Sequence, residues 1–457
     1  MKFFTQYLTL IITLFFGYSN SIPTFPEERA SVEKRALSVP IFSKLNSLSP
    51  SATGDGDYAI ALSELQFAIP TASPTSPQQA LSSLSSIYEA SPTPQNLYAA
   101  MAEYIEAGIT SDNTASVLQY ISGALDGENS DTNVNPRDPD VAIYPKASPN
   151  DAPYDLTEEQ LREAIYIPST FRYGDGLQPI ILVPGTGSTG YFTFAGNYIP
   201  LLQGSSIGDP VWLNIPGYLL NDAQTNAEYV AYAINYIYGI SNNREVAVFG
   251  WSQGNIDTQW AFKYWPSTRN RTTDFVAFSP DYHGTILANF IALGEPLPPS
   301  VLQQEYNSNF INTLRNNGGD SAYVPTTNVY SGFYDEIVEP QQGTAASAYL
   351  QDARGVGVSN NEVQLVCPGQ PAGSFYTHEG ILYNALGYAL AVDALSNDGP
   401  GQPSRLDLAT VCSTYLTPGL DLADFSETEN AILIAAVAIL VYPDKTTLEP
   451  PIKAYAQ

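Results

Sequence analysis

The apolar run Val246 to Phe249 leads directly into Gly250-Trp251-Ser252-Gln253-Gly254, and a helical stretch follows towards Pro266. That order constrains the fold more than any other part of the chain. A serine between a strand and a helix, with glycines two residues before and two after, sits on a tight turn that needs their clearance. The N-terminus of the following helix adds a field that favours developing negative charge. Gly204-Ser205-Ser206-Ile207-Gly208 has the same spacing, but it follows Leu201-Leu202-Gln203 and runs into Asp209-Pro210. It lacks both the strand and the helix and reads as a connecting loop, so context selects Ser252.

Around this turn, strand and helix patterns alternate from residue 154 to 457. Candidate strands are Ile180 to Val183, Val211 to Ile215, Val246 to Phe249, Phe275 to Phe278, Asn328 to Ser331 and Val363 to Val366. Val230, Ala233, Ile234 and Ile237 form a helical stripe between the second and third, and Ala431 to Tyr442 reads as a buried terminal helix. The alternation predicts an α/β fold with a mainly parallel central sheet flanked by helices. Upstream, residues 36–125 read as a small helical domain. Ser76-Pro77 and Thr93-Pro94 are start signals, and the packing stripes are Leu81, Leu84, Ile87 and Tyr88, then Leu97, Met101, Tyr104 and Ile105. Residues 126–153 are rich in Asp, Asn and Pro with little periodicity, a linker lying over a surface.

A serine hydroxyl needs a base, and the chain offers only His283 and His378. On such a scaffold the order along the chain is serine, acid, histidine, with the histidine on a loop after the last strand. His378 fits that place; His283 comes too soon after the strand Phe275 to Phe278 and reads as structural. The acid that holds the imidazole tautomer is Asp335 or Asp281, each just past a candidate strand, and position favours Asp335. Glu336 is a second carboxylate beside it. Donors for an oxyanion are expected from the Gln253 amide and from the glycine-rich turn Val183-Pro184-Gly185-Thr186-Gly187-Ser188. That turn has no Lys or Arg and no Walker pattern, which argues against nucleotide binding.

The rest of the composition narrows partners and compartment. With 44% hydrophobic residues the chain can bury a large core. With 18 Lys+Arg against 46 Asp+Glu and a net charge of -28, it repels phosphate backbones, so nucleic acid is excluded as a partner. Residues 1–21 read as a secretory signal, with Lys2 before the apolar Tyr7 to Tyr18 and small residues at Ser19-Asn20-Ser21. Residues 22–35 read as a propeptide ending at the dibasic Lys34-Arg35, so the mature chain is expected to begin at Ala36. Export makes a Cys367–Cys412 disulfide the natural reading of a two-cysteine chain, and Asn270-Arg271-Thr272 is a glycosylation sequon. No apolar stretch is long enough to span a membrane.

Several stretches, taken together and in order, resemble the fungal lipases of the Candida antarctica lipase B type. They are LVPGTGSTG from Leu182, LLNDAQTNAEY from Leu219, WSQG from Trp251, FSPDYHGT from Phe278, NVYSGFYDEIVEPQ from Asn328 and EPPIKAYA from Glu449. The resemblance covers roughly Pro179 to Ala456. It implies an α/β-hydrolase fold acting on carboxylic esters, triacylglycerols included, without metal or organic cofactor. By position it implies Ser252, Asp335 and His378 as the triad and Thr186 with Gln253 as the oxyanion hole. It makes Asp281 a pocket carboxylate, places Trp251 and Gln304 on the pocket walls, and pairs Cys367 with Cys412. The chain departs from the family prototype in lacking its other cysteines, in having Thr377 where an acidic residue precedes the histidine, and in stopping sooner. Residues 36–151 have no counterpart there.

The expectation is therefore a secreted, monomeric serine hydrolase that takes ester or lipid substrates, with contact at a lipid interface but no membrane span. A serine acyltransferase or peptidase would use the same triad, and a non-catalytic binding protein could keep the scaffold. The segment Thr285 to Pro299, with Ala288, Phe290, Ile291, Leu293 and Leu297, reads either as a cover over the pocket or as a packed helix.

Overall fold

The computed structural model describes residues 68, 70–90, 97–110, 127–286 and 296–457. The expected signal, the dibasic site and most of the segment Thr285 to Pro299 lie outside the described residues. The first helices among the described residues are α1, Pro77–Ala90, and α2, Leu97–Glu106. The sheet that follows has seven strands among the described residues: β1 (Ile165–Tyr166), β2 (Pro179–Val183), β3 (Asp209–Leu213), β4 (Val246–Trp251), β5 (Thr272–Phe278), β6 (Thr326–Tyr330) and β7 (Val358–Glu362). The longer helices around it are α3 (Ala223–Ile240), α4 (Gln253–Tyr264), α5 (Ala385–Ser396) and α6 (Leu422–Val441). Their order in the sheet is β1-β3-β2-β4-β5-β6-β7, parallel except for β1, which runs antiparallel to β3.

Along β2 and β4 alternate residues enter two different cores, as the two-residue period of a strand requires. Ile180, Leu182, Ala247, Phe249 and Trp251 join one with Phe425 and Ile432 of α6. Ile181, Val183, Val246 and Val248 join the other with Val230 and Ile234 of α3 and Ile256 of α4. Burial on both faces explains why these strands read as unbroken apolar runs. The stripes of α1 and α2 enter the first core, where Leu84, Met101, Tyr104 and Ile105 are buried with the α6 residues. No helix among the described residues is long and apolar enough to cross a membrane.

Two strand assignments differ from the sequence reading. Val363–Val366 is a single helical turn, not the last strand; the strand is the preceding Val358–Glu362, sequence VSNNE. Among the described residues it is a sheet edge, paired with β6 alone, and its asparagines are satisfied by hydrogen bonds: Asn361 Nδ2 donates to the Asn328 carbonyl at 3.0 Å and Asn328 Nδ2 to Asn360 Oδ1 at 2.8 Å. Polar side chains on an edge leave no apolar signal to read. β1, two residues long, carries too little pattern to be seen at all.

The described part of 126–153 lies over the sheet edge and is tied down. The Glu128 carbonyl accepts from Trp212 Nε1 at 2.8 Å and Asn214 Nδ2 at 2.9 Å, and Ile143 and Ala152 are buried in the second core.

Cys367 and Cys412 form a disulfide across 45 residues. It ties the turn after β7 to the short helix Leu408–Val411, and the Ala372 amide donates to the Cys412 carbonyl at 3.0 Å within the same brace. Replacing both cysteines by serine is expected to lower the free energy of unfolding by about 4 kcal/mol on the chain-entropy account, a loss read in a denaturant midpoint. The loop that leads from this brace to His378 is the one that loosens.

Candidate active site

The parallel strands end together, and β2 and β4 are neighbours from which the chain leaves in opposite directions, a crevice where open α/β sheets place ligands. Ser252 follows β4 at that end, at φ 53°, ψ -129°, and α4 begins at the next residue. A non-glycine residue in the left-handed region is strained and needs its surroundings to hold it. Here the Ser252 amide donates to the Phe278 carbonyl at 3.1 Å, and Asn255 Nδ2 donates to the carbonyls of Ser252 and Phe278, both at 3.0 Å. The flanking glycines are required by space. A methyl group at Gly254 would lie 2.4 Å from the Pro184 carbonyl oxygen, and one at Gly250 2.4 Å from Asn255 Oδ1. Ser206 is exposed in the loop before β3, at the opposite end of the parallel sheet.

His378 lies on the loop after β7 and Asp335 on the loop after β6, and the structure brings them together. The imidazole Nδ1 is 2.9 Å from Asp335 Oδ2 and 3.0 Å from Oδ1, with the two residues 1% and 0% exposed. Asp335 Oδ1 also accepts the amides of Ile337 at 3.1 Å and Val338 at 2.7 Å, which fixes the carboxylate. The backbone of His378 is clamped on both sides. Its amide donates to Glu336 Oε2 at 3.0 Å, and its carbonyl accepts from Ser279 Oγ at 2.8 Å and Trp251 Nε1 at 3.2 Å. Nδ1 being engaged by Asp335, the other ring nitrogen, Nε2, is buried without a hydrogen-bond partner among the described residues. It is therefore left to accept a proton.

Burial is the strongest single influence on His378 and disfavours its charge. The Asp335 carboxylate opposes it by charge and hydrogen bond, with Glu336 and Asp281 adding to it, and the net result is a pKa above the ordinary 6.5. Asp281 does not hold the imidazole. Both its oxygens lack a hydrogen-bond partner among the described residues, and burial pushes its pKa up to about 7 against the pull of His378. His283 is part-buried, with its amide donating to Ser347 Oγ, and burial lowers its pKa to about 4.

Thr186 follows β2, across the crevice from Ser252. Its Oγ1 lies 2.9 Å from both Gln253 Oε1 and Gln304 Oε1, and Gln304 Nε2 donates to Gln253 Oε1 at 3.0 Å. The single hydroxyl proton serves one acceptor at a time, so it can turn to a third. Gln253 is the first residue of α4, where a backbone N–H has no partner within the helix. Its side chain is held by Nε2 donating to the Leu219 carbonyl at 2.9 Å and to Asp257 Oδ2 at 3.3 Å. Trp251 is buried with its ring centroid 5.2 Å from that of His378.

The sequence reading did not find Ser279, Asn255 or Asp257. Their roles depend on which loops meet, and a lone polar residue beside a strand end carries no signal of that. Glu379, adjacent to His378, could have been noticed as a carboxylate next to the expected base.

No family model matches this chain. Lipase B of Pseudozyma antarctica is 37% identical over 287 residues, spanning 61% of this chain and 79% of that protein. The crystal structure of Aspergillus fumigatus lipase B superposes with a TM-score of 0.83 at 46% identity, over 91% of this chain and 100% of that one. Agreement of this extent in sequence and in fold, around a strained serine at the end of β4, means that the chain belongs to the lipase B family and carries its α/β-hydrolase fold.

Proposed function

We propose that this chain is a secreted lipase or carboxylesterase that cleaves carboxylic esters, triacylglycerols among them, through an acyl-enzyme on Ser252. The observation that carries the reading is the buried His378–Asp335 pair, 2.9 Å apart, whose free Nε2 belongs to the same site as the strained Ser252. Ser252 Oγ attacks the ester carbonyl while His378 Nε2 takes its proton, and Asp335 stabilises the imidazolium by holding Nδ1–H. The tetrahedral oxygen is stabilised by the Gln253 amide and by the amide and hydroxyl of Thr186. His378 then protonates the departing alcohol, and water repeats the sequence on the acyl-enzyme. Trp251, Gln304 and Asp281 line the pocket.

In this reading residues 1–21 and 22–35 are removed on export, and residues 36–125 form a helical domain, joined by 126–153 to the hydrolase domain 154–457. The protein acts as a monomer. Asn270 is exposed and accepts a glycan in the secretory pathway.

The test is incubation of the mature protein with a fluorophosphonate probe, the modified peptide being located by mass spectrometry, alongside initial rates on emulsified triglyceride, a soluble short-chain ester and the matching anilide. Labelling at Ser252 with turnover of both esters is the expected result. Failure of folded protein to label would overturn it, and faster turnover of the anilide would make the enzyme a peptidase.

A further inference from the structure

Behind His378 three more carboxyl groups stand in a row. Glu336 comes from the loop after β6, Glu379 from the histidine loop, and Glu429 from the middle of α6. Glu379 and Glu429 are wholly buried, and Glu336 Oε1 is out of water although the residue as a whole is only part-buried. Glu379 stands between Glu336 and Glu429, near enough that each of the two carboxyls acts on its charge. At one end of the row Glu336 Oε2 accepts the His378 amide at 3.0 Å; at the other Glu429 Oε1 accepts the Tyr383 hydroxyl at 2.8 Å. The oxygens between these ends receive no N–H or hydroxyl donor from the described residues.

Two bare carboxylates cannot share such a contact in a dry interior, because each charge is desolvated and repels the other. Each carboxyl–carboxyl contact therefore needs a proton of its own. Three groups joined by two contacts hold two protons and one negative charge. Around the row stand Asp335 beside Glu336, and His378, Tyr376 and Tyr383 on the histidine loop, while Asp281 past the end of β5 acts on His378. The ionisable cation among them is His378, whose protonated form the remaining negative charge favours.

We propose that Glu336, Glu379 and Glu429 are positioning residues, a chain of carboxyls held by two shared protons that fastens the His378 loop to α6 and keeps the imidazole directed at Ser252. The proposal rests on His378 being the catalytic base. The sequence places Glu379 next to His378 and Glu429 fifty residues away in the terminal helix, so the chain makes the geometry of the base depend on the docking of that helix.

The sign of the pH dependence follows from the protons. Burial and the neighbouring carboxylates raise all three groups, Glu429 to about 7, above the exposed value of 4.5. Between those limits the folded state binds more protons than the unfolded one. The chain's contribution to stability is therefore complete below the unfolded value, falls as pH rises through the window, and is flat above it.

The experiment compares Glu379→Gln and Glu379→Leu with wild type in the full mature chain, reading the thermal midpoint together with kcat and KM on a soluble ester at about pH 5 and about pH 8. Glutamine supplies one donor and one acceptor, so both contacts survive with one proton fewer. It is expected to keep kcat within about twofold at the lower pH and to lose less thermal stability than wild type on going to the higher one. Leucine breaks both contacts and is expected to lower kcat about tenfold with KM within about twofold, the signature of a misplaced base. Equal pH slopes in wild type and Glu379→Gln, or a Glu379→Leu protein with wild-type kcat, would overturn the proposal. If Glu379→Leu does not fold, Glu429→Gln reads the same stability slope from the other end. That slope is measured without turnover, so it tests the carboxyl chain separately from the catalytic reading, which fails instead if Ser252→Ala stays active.

Discussion

Ser252→Ala is expected to lower kcat on a soluble ester by about 10⁵-fold while leaving the fold intact. The effect is large because in the proposed mechanism the hydroxyl is the group that becomes covalently acylated. The fold is spared because what holds the turn is backbone and neighbour: the Ser252 amide on the Phe278 carbonyl, and Asn255 Nδ2 on the carbonyls of both residues. Alanine at φ 53° carries the same strain as serine, so the thermal midpoint is expected to move by no more than about 2 °C. The residual rate should still exceed the uncatalysed one, since Thr186 and the Gln253 amide remain to stabilise an oxyanion formed by water attack. Initial rates with matched circular dichroism check both statements. Undiminished hydrolysis by a folded Ser252→Ala protein would remove Ser252 from the mechanism.

How much of this was legible in the sequence depends on whether a feature is local. The turn at Ser252 is local: strand, glycines, serine and helix follow one another in the chain, and β4 and α4 have close to the bounds their pattern suggests. His378 and Asp335 could be singled out because the chain has two histidines and because loops after strands carry reactive groups. Their meeting at 2.9 Å is a property of the strand order, since β6 and β7 are neighbours whose following loops converge.

Features set by long-range contact were not legible. Val358–Glu362 is a strand because Asn328, Asn360 and Asn361 satisfy one another at the sheet edge, not because its side chains are apolar. The apolar Val363–Val366 next to it was the better strand by composition and is a helical turn. Residues 126–153 read as a linker over a surface, and their described part is anchored in places by backbone, the Glu128 and Ser130 carbonyls accepting from Trp212 and Asn214, and a carbonyl has no sequence identity. The carboxyl row needs Glu429, which by itself is one of a run of polar residues, Ser426 to Asn430, in the first half of α6. Polar residues in such a helix read as its solvated face until the partner across the core is known.

The second large effect is expected at Asp335. Asp335→Asn should lower the maximal kcat/KM by about 10⁴-fold, because the amide no longer holds Nδ1–H and the imidazole takes the wrong tautomer. The pH dependence should change with it in a defined direction. In the proposed mechanism wild-type His378 must be neutral to accept the serine proton, and its pKa lies above 6.5 because Asp335, with Glu336 and Asp281, outweighs burial. The wild-type kcat/KM is therefore expected to fall as pH drops through that raised value. Without the carboxylate, burial is the dominant influence and favours the neutral ring, so the acid limb of the variant's profile should move to lower pH even as its plateau falls. Stability carries the same linkage with its own sign. The His378–Asp335 pair contributes most where the imidazole is protonated, below the unfolded value near 6.5, and that contribution is lost as pH rises through the folded pKa. The asparagine variant should therefore be less stable than wild type chiefly at acid pH, where it must either bury an unpaired imidazolium or give up the proton. A profile of kcat/KM and thermal midpoint against pH for both proteins checks the two limbs together. An acid limb that stays in place in Asp335→Asn would mean that a group other than His378 titrates in the wild type, with the neighbouring row of carboxyls the first place to look.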